Sequence, residues 1–173
     1  KQLQQGVSPF HVVKNCEEEL LKAGFTQLDM EKPWKLTPQK QYFINHHGTT
    51  LAAFSLPDKQ QMLVEKRKTP VLRIAAAHSD WPCLRVKPSP DIKDEYYGKI
   101  NTEVYGGAIY STWLDRPLGV AGRVALRSKN AFCPTMRLFD SERPILTIPE
   151  LASHMNREAN NEVALNPQKG MLP

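Results

Sequence analysis

The chain is short of cysteine, of charge of one sign and of long apolar runs, and each shortage removes a class of protein. Its three cysteines, Cys16, Cys83 and Cys133, are far apart and odd in number. They form no CxxC pair, so the expectation is three reduced thiols, not a zinc ribbon or a disulfide framework. Lysine and arginine outnumber aspartate and glutamate only by 23 − 18 = 5, and Lys66-Arg67-Lys68 is the one basic run. A nucleic-acid binder gathers its charge into a stripe or patch, so no nucleic-acid partner is expected. The best apolar stretch, Val71 to Ala77, is interrupted by Arg73 and falls far short of the ~20 residues of a membrane span. No signal peptide is read at the start, and no membrane partner is expected. Phosphate-loop patterns are missing too, with neither GxxxxGK[ST] nor strand–GxGxxG–helix in the chain.

Proline, by contrast, is plentiful. Its 14 positions in 173 residues exceed the typical share of about 5%, which points to loops, edges and turns and against a helical bundle. The length suits one ordinary domain or parts of two. The chain starts at Lys1 and stops at Met171-Leu172-Pro173 without a polar tail, so both ends read as cut.

Ser8-Pro9 is a helix start, a hydroxyl at the N-cap followed by proline where no N–H is needed. Val12, Val13, Cys16, Leu20 and Leu21 recur at helical spacing, with Glu17 to Glu19 leaning to solvent, and Gly24 closes the helix before Phe25. The period then shifts towards two. Tyr42 to Asn45 and Leu51 to Leu56 read as a hairpin around His46-His47-Gly48-Thr49. Val71 to Ala77 reads as a buried strand. Leu84 to Lys87, Thr102 to Tyr105, Val120 to Arg127, Met136 to Phe139 and Ile145 to Ile148 are further strand candidates. Pro149 is expected to start a short helix reaching about Asn160. The Pro88-Ser89-Pro90-Asp91 segment is the natural domain boundary.

His78-Ser79-Asp80 follows the apolar stretch, and ligands collect beyond the carboxyl ends of strands in open α/β sheets. An imidazole there can ligate zinc, and a carboxylate two residues on can orient it. By itself, such a triplet is more often a surface turn. In His46-His47 adjacent residues are expected to point opposite ways and so not to share an ion; His11 is a first-turn residue. Glu150 and His154, four apart, are expected on one helix face, as an exposed pair or a polar patch at a substrate or subunit contact. Residues 103–124 hold Gly106, Gly107, Gly119 and Gly122 among aromatics. They read as a structural crossing or an oligomer contact, with Asp115-Arg116 as an internal ion pair.

Taken in order, these segments resemble the M18 metallo-aminopeptidases, the aspartyl aminopeptidase family. Ser8-Pro9-Phe10-His11-Val12-Val13 and Gly24-Phe25 resemble its opening helix. Ala77-His78-Ser79-Asp80-Trp81-Pro82, leading into Cys83 to Lys87, resembles its AH[ST]DSP motif. Val104 to Val124 resembles its long Gly/Trp signature. Glu142 to Pro149 and Leu151-Ala152-Ser153-His154 resemble ERPILxIPxLAxH.

The resemblance implies an α/β fold: the edge of a zinc-exopeptidase-type catalytic domain (residues 1–86), followed by part of a β-rich inserted dimerisation domain (residues 87–173). It implies a cytoplasmic enzyme with two zinc ions per complete site. Such an enzyme removes N-terminal, typically acidic, residues from peptide substrates, and its homodimers assemble into a dodecamer. His78 becomes a zinc ligand and Asp80 the catalytic carboxylate beside it. Glu150 and His154 become residues at the substrate or a neighbouring subunit. Three departures accompany the match. Trp81 stands where the family has a small Ser, and Glu150 where some members carry a His that reaches a neighbouring subunit's site. The remaining carboxylates and the final His belong to a segment this sequence does not contain. The expectation is therefore an N-terminal portion of a metallo-aminopeptidase, inactive in isolation, with a truncated assembly or dimerisation module as the alternative.

Overall fold

The computed structural model describes residues 2–58, 72–152, 154, 155, 157 and 165–173. The chain divides into two compact units, residues 1–80 with 122–138, and residues 81–121 with 139–173.

The first unit opens with a single turn, α1 (Gln2–Gln5), and the helix α2 (Pro9–Lys22). The Ser8 hydroxyl accepts the His11 amide at 3.4 Å and meets His11 Nδ1 at 2.7 Å. At the far end Gly24, at φ +84°, lets the Gly24 amide reach Leu21 O and the Phe25 amide reach Leu20 O, each at 3.0 Å. That pair of bonds ends a helix where a left-handed residue is free of steric penalty. Of the apolar positions at helical spacing only Val13 is buried, while Cys16 and Leu21 are exposed. Glu17 also departs from expectation: its carboxylate accepts Asn45 Nδ2 at 3.0 Å and so faces the hairpin.

Three strands follow, β1 (Thr26–Gln27), β2 (Gln41–His46) and β3 (Thr50–Ser55). β1 runs parallel to β2, and β2 and β3 form the expected antiparallel hairpin, Phe43 opposite Ala53. His47 at φ +57° and Gly48 at φ +69° make its turn, the positive values that match a tight turn to strand twist. Phe43 is fully buried and Tyr42 nearly so; with Val13 they are the buried apolar side chains of this unit among the described residues. β6 (Ala121–Leu126) and β7 (Thr135–Asp140) form a two-stranded ribbon, most of which belongs here.

Two strand expectations fail. Leu72 to Ala77 lies in no strand, and Leu72 and Ile74 are each 79% exposed; Val71 lies outside the described residues. A fully buried strand needs hydrogen-bonded neighbours on both sides, and none of the described strands lies beside it. Ile145 to Ile148 contributes one isolated bridge, Leu146 with Leu118.

The second unit is organised by a long antiparallel ribbon, β4 (Cys83–Asp94) and β5 (Tyr97–Tyr105). Pro88 to Asp91, read from sequence as an interruption, lies inside β4. Its register slips between Val86 (opposite Thr102) and Asp91 (opposite Ile100). A bulge on an edge strand is where prolines, which cannot donate to a ladder, are tolerated. A 3-10 turn (Tyr110–Trp113) follows β5. The short helix α3 (Pro167–Gly170) leads into Met171, fully buried, whose carbonyl accepts the Thr102 hydroxyl at 3.0 Å.

Candidate metal centre

His78 and Asp80 follow the 72–77 segment, which lies in no strand. His78 Nδ1 lies 2.7 Å from the Asp80 carbonyl oxygen and 3.3 Å from Asp80 Oδ1. Both neighbours are acceptors, so the proton belongs on Nδ1 and the Nε2 lone pair is left for a ligand. The imidazole is 83% exposed and the Asp80 side chain 35%, so Nε2 is open to solvent. This is the geometry in which a carboxylate-bearing residue fixes the tautomer and direction of a metal-ligating histidine. The donors suit zinc in kind, but a zinc site takes three or four protein ligands. Among the described residues no group of three His, Cys, Asp or Glu side chains comes together.

Proline 82 follows two residues later, its Cα only 3.2 Å from where a Cβ on Gly106 would stand. Gly106 is at φ +79°, so the start of the Gly/Trp segment is pressed against the chain leaving the His-Ser-Asp triplet. Arg85 stacks over the Tyr105 ring at 3.5 Å and braces the same end of the ribbon.

The two other candidate positions are not on a helix. Pro149 to Ala152 has no helical turn, and His154 lies in an exposed turn; Ser153, Asn156 and 158–160 lie outside the described residues. Asp115 is the physical reason. Its amide donates to Ile148 O at 2.9 Å and its carboxylate accepts the Glu150 amide at 3.0 Å, which holds the chain extended through Pro149. Asp115 is thus a backbone anchor, not the ion-pair partner of Arg116. Sequence reasoning missed this role, although an aspartate tolerates the positive φ (+52°) that aims it. The exposed histidine rings of His46 and His47 lie 4.2 Å apart, against the expectation of opposite directions, because the turn at His47 breaks strand alternation.

Against known families, residues 2–173 match the model described as aminopeptidase I zinc metalloprotease (M18). The chain belongs to the M18 family. A probable M18 family aminopeptidase 2 of Clostridium acetobutylicum is 42% identical over 167 residues, covering 96% of this chain and 37% of the relative. This chain therefore spans little more than a third of the length of such relatives. Among solved structures, a chain from the cryo-EM structure of the Ape4 and Nbr1 complex superposes with a TM-score of 0.86 at 32% identity, over 96% of this chain and 31% of that one. Chaetomium thermophilum mApe1 gives 0.76 at 31%, over 96% and 36%. These likenesses establish the mixed α/β architecture as that of part of an M18 chain, in a family described as zinc metalloproteases.

Proposed function

We propose that this chain is an N-terminal portion of a zinc-dependent aminopeptidase that removes N-terminal residues from peptides by a two-metal mechanism, with acidic first residues one candidate class. The observation that carries the reading is the His78–Asp80 arrangement, Nδ1 engaged and Nε2 free, in a chain matching the M18 family along its length. His78 would hold a zinc ion through Nε2, and Asp80 would orient the imidazole. The chemistry zinc supplies when bound is polarisation of the scissile carbonyl and activation of water. Residues 1–86 would belong to the catalytic domain and 87–173 to the dimerisation domain of a cytoplasmic homo-oligomer. The dodecameric S. cerevisiae mApe1, alike in fold (TM-score 0.66, 24% identity, over 88% of this chain and 35% of that one), makes such an assembly a reasonable form. Glu150 and His154, both exposed, would meet substrate or a neighbouring subunit. A carboxylate at Glu150 repels an acidic side chain, so the preferred first residue is the point to measure.

The test uses peptides with acidic or neutral first residues, offered to this chain and to a full-length protein containing it. The full-length protein should release the first residue in a zinc-dependent way, and His78→Ala and Asp80→Asn should each remove that activity. This chain alone, with two donors among the described residues, should be inactive. Hydrolysis that survives both substitutions would overturn the reading.

A second reading is a non-catalytic assembly module, in which another chain would cover the exposed Leu72 and Ile74. Co-purification with a longer homologue, together with no zinc binding, would select it.

A further inference from the structure

We propose that this chain binds a small oxyanion, a carboxylate or phosphate group, in a cavity of the first unit remote from the His-Ser-Asp triplet in sequence. The cavity, about 200 Å³, is bounded by α2, the β2–β3 turn and the β6–β7 ribbon, and its lining includes Phe10, Lys14, Gly48, Arg123, Met136 and Arg137. Three cations and no carboxylate line it. Lys14 reaches one acid on its own helix, Glu18, at 3.8 Å across an exposed surface, a loose pairing worth little in water. Neither arginine has a carboxylate partner among the described residues.

Arg123 is held ready. Its guanidinium stands 4.4 Å from the Phe10 ring centre and its Nη1 donates to the His47 carbonyl at 2.5 Å. Gly48, at φ +69°, leaves space beside Nη1: a Cβ there would already stand 3.4 Å from it. A guanidinium carries five N–H donors in a planar fork. One is spent on His47, and the Phe10 ring packs against the group. The rest of the fork is pre-oriented for a planar or tetrahedral oxyanion, which it bonds in bidentate fashion. The volume is below the usual range of about 300–1,000 Å³ for drug-sized ligands, so a small acid or inorganic anion fits best. Phe10 and Met136 offer an apolar wall for the methylenes of an organic acid.

Calorimetric titration of the purified chain at low salt, with inorganic phosphate in one arm and succinate in the other, tests the site. Saturable one-to-one binding of either anion is expected, and the arm that binds identifies the source. Arg123→Gln and Arg137→Gln should each weaken it at least tenfold. Arg116→Gln, outside the cavity, should leave it unchanged. Because Arg123 also stacks on Phe10, the exposed Arg137 variant keeps the test valid if Arg123→Gln unfolds. Absence of saturable binding in both arms, or equal weakening by Arg116→Gln and Arg137→Gln, would overturn the proposal.

Discussion

Replacing Gly106 by alanine sets two penalties on one residue. At φ +79° an L side chain crowds its own carbonyl, at a cost of roughly 1–2 kcal/mol. The new Cβ would also stand 3.2 Å from Pro82 Cα, inside the comfortable carbon–carbon separation of about 3.5–4.0 Å, while Pro82 Cγ and N, at 3.5 Å, would be in ordinary contact. A proline ring and backbone cannot rotate aside as a long side chain does, so about 1 kcal/mol of overpacking is added. The sum is about 2–3 kcal/mol. Two other glycines separate the contributions. Gly24, at φ +84°, has open space around it, and Gly107 has open space without positive φ. Gly24→Ala should show the backbone part alone, about 1–2 kcal/mol, and Gly107→Ala should stay within about 0.5 kcal/mol of the parent. Urea unfolding followed by tryptophan fluorescence reads the difference, since Trp81 and Trp113 lie in the same unit as Gly106. If Gly106→Ala costs no more than Gly24→Ala, the clamp on Pro82 is refuted.

Phe43→Ala empties a fully buried aromatic position of the first unit and should cost about 3–5 kcal/mol in thermal or urea unfolding; an unchanged midpoint would deny that this ring packs in the core. Ser8→Ala removes the cap of α2 and should cost about 1 kcal/mol, seen as faster amide exchange at His11. The Lys32 ammonium bonded to Asp29, and then the Glu31 amide, hold the Asp29 carboxyl below its ordinary value. Because the folded value is the lower one, the stabilisation is complete above the ordinary carboxylate range and is lost as pH falls through the folded value. An NMR titration should show the low midpoint and its return to normal in Lys32→Ala; no change in that variant would refute the pairing.

Local chemistry made part of this fold legible. Ser8-Pro9 and Gly24 bracket α2 because capping is settled within a few residues, and the His47-Gly48 turn fixes the hairpin for the same reason. The 72–77 stretch failed because burial of a strand depends on neighbours that its own residues do not encode. Pro88 and Pro90 looked like a break because the bulge that accommodates them is a property of pairing with β5. The short helix expected after Pro149 failed to a carboxylate 35 residues earlier in the chain, at Asp115. In the site, His78 and Asp80 were visible as a triplet. The direction of the imidazole was not, since it is set by the backbone carbonyl of Asp80 as well as by its side chain.

The end of the β4–β5 ribbon is also a place to work on the molecule. Glu95 takes φ +49°, Tyr96 and Tyr97 are 93% and 75% exposed, and the ladder stops at Asp94 opposite Tyr97. A peptide tag or a small reporter domain spliced between Glu95 and Tyr96 would lengthen only the closing loop, at about 0.6 kcal/mol for each doubling of its length. The paired register from Cys83 to Tyr105 would stay as it is. That tip is a handle for immobilising or labelling the chain at the end of the ribbon opposite Pro82 and Gly106.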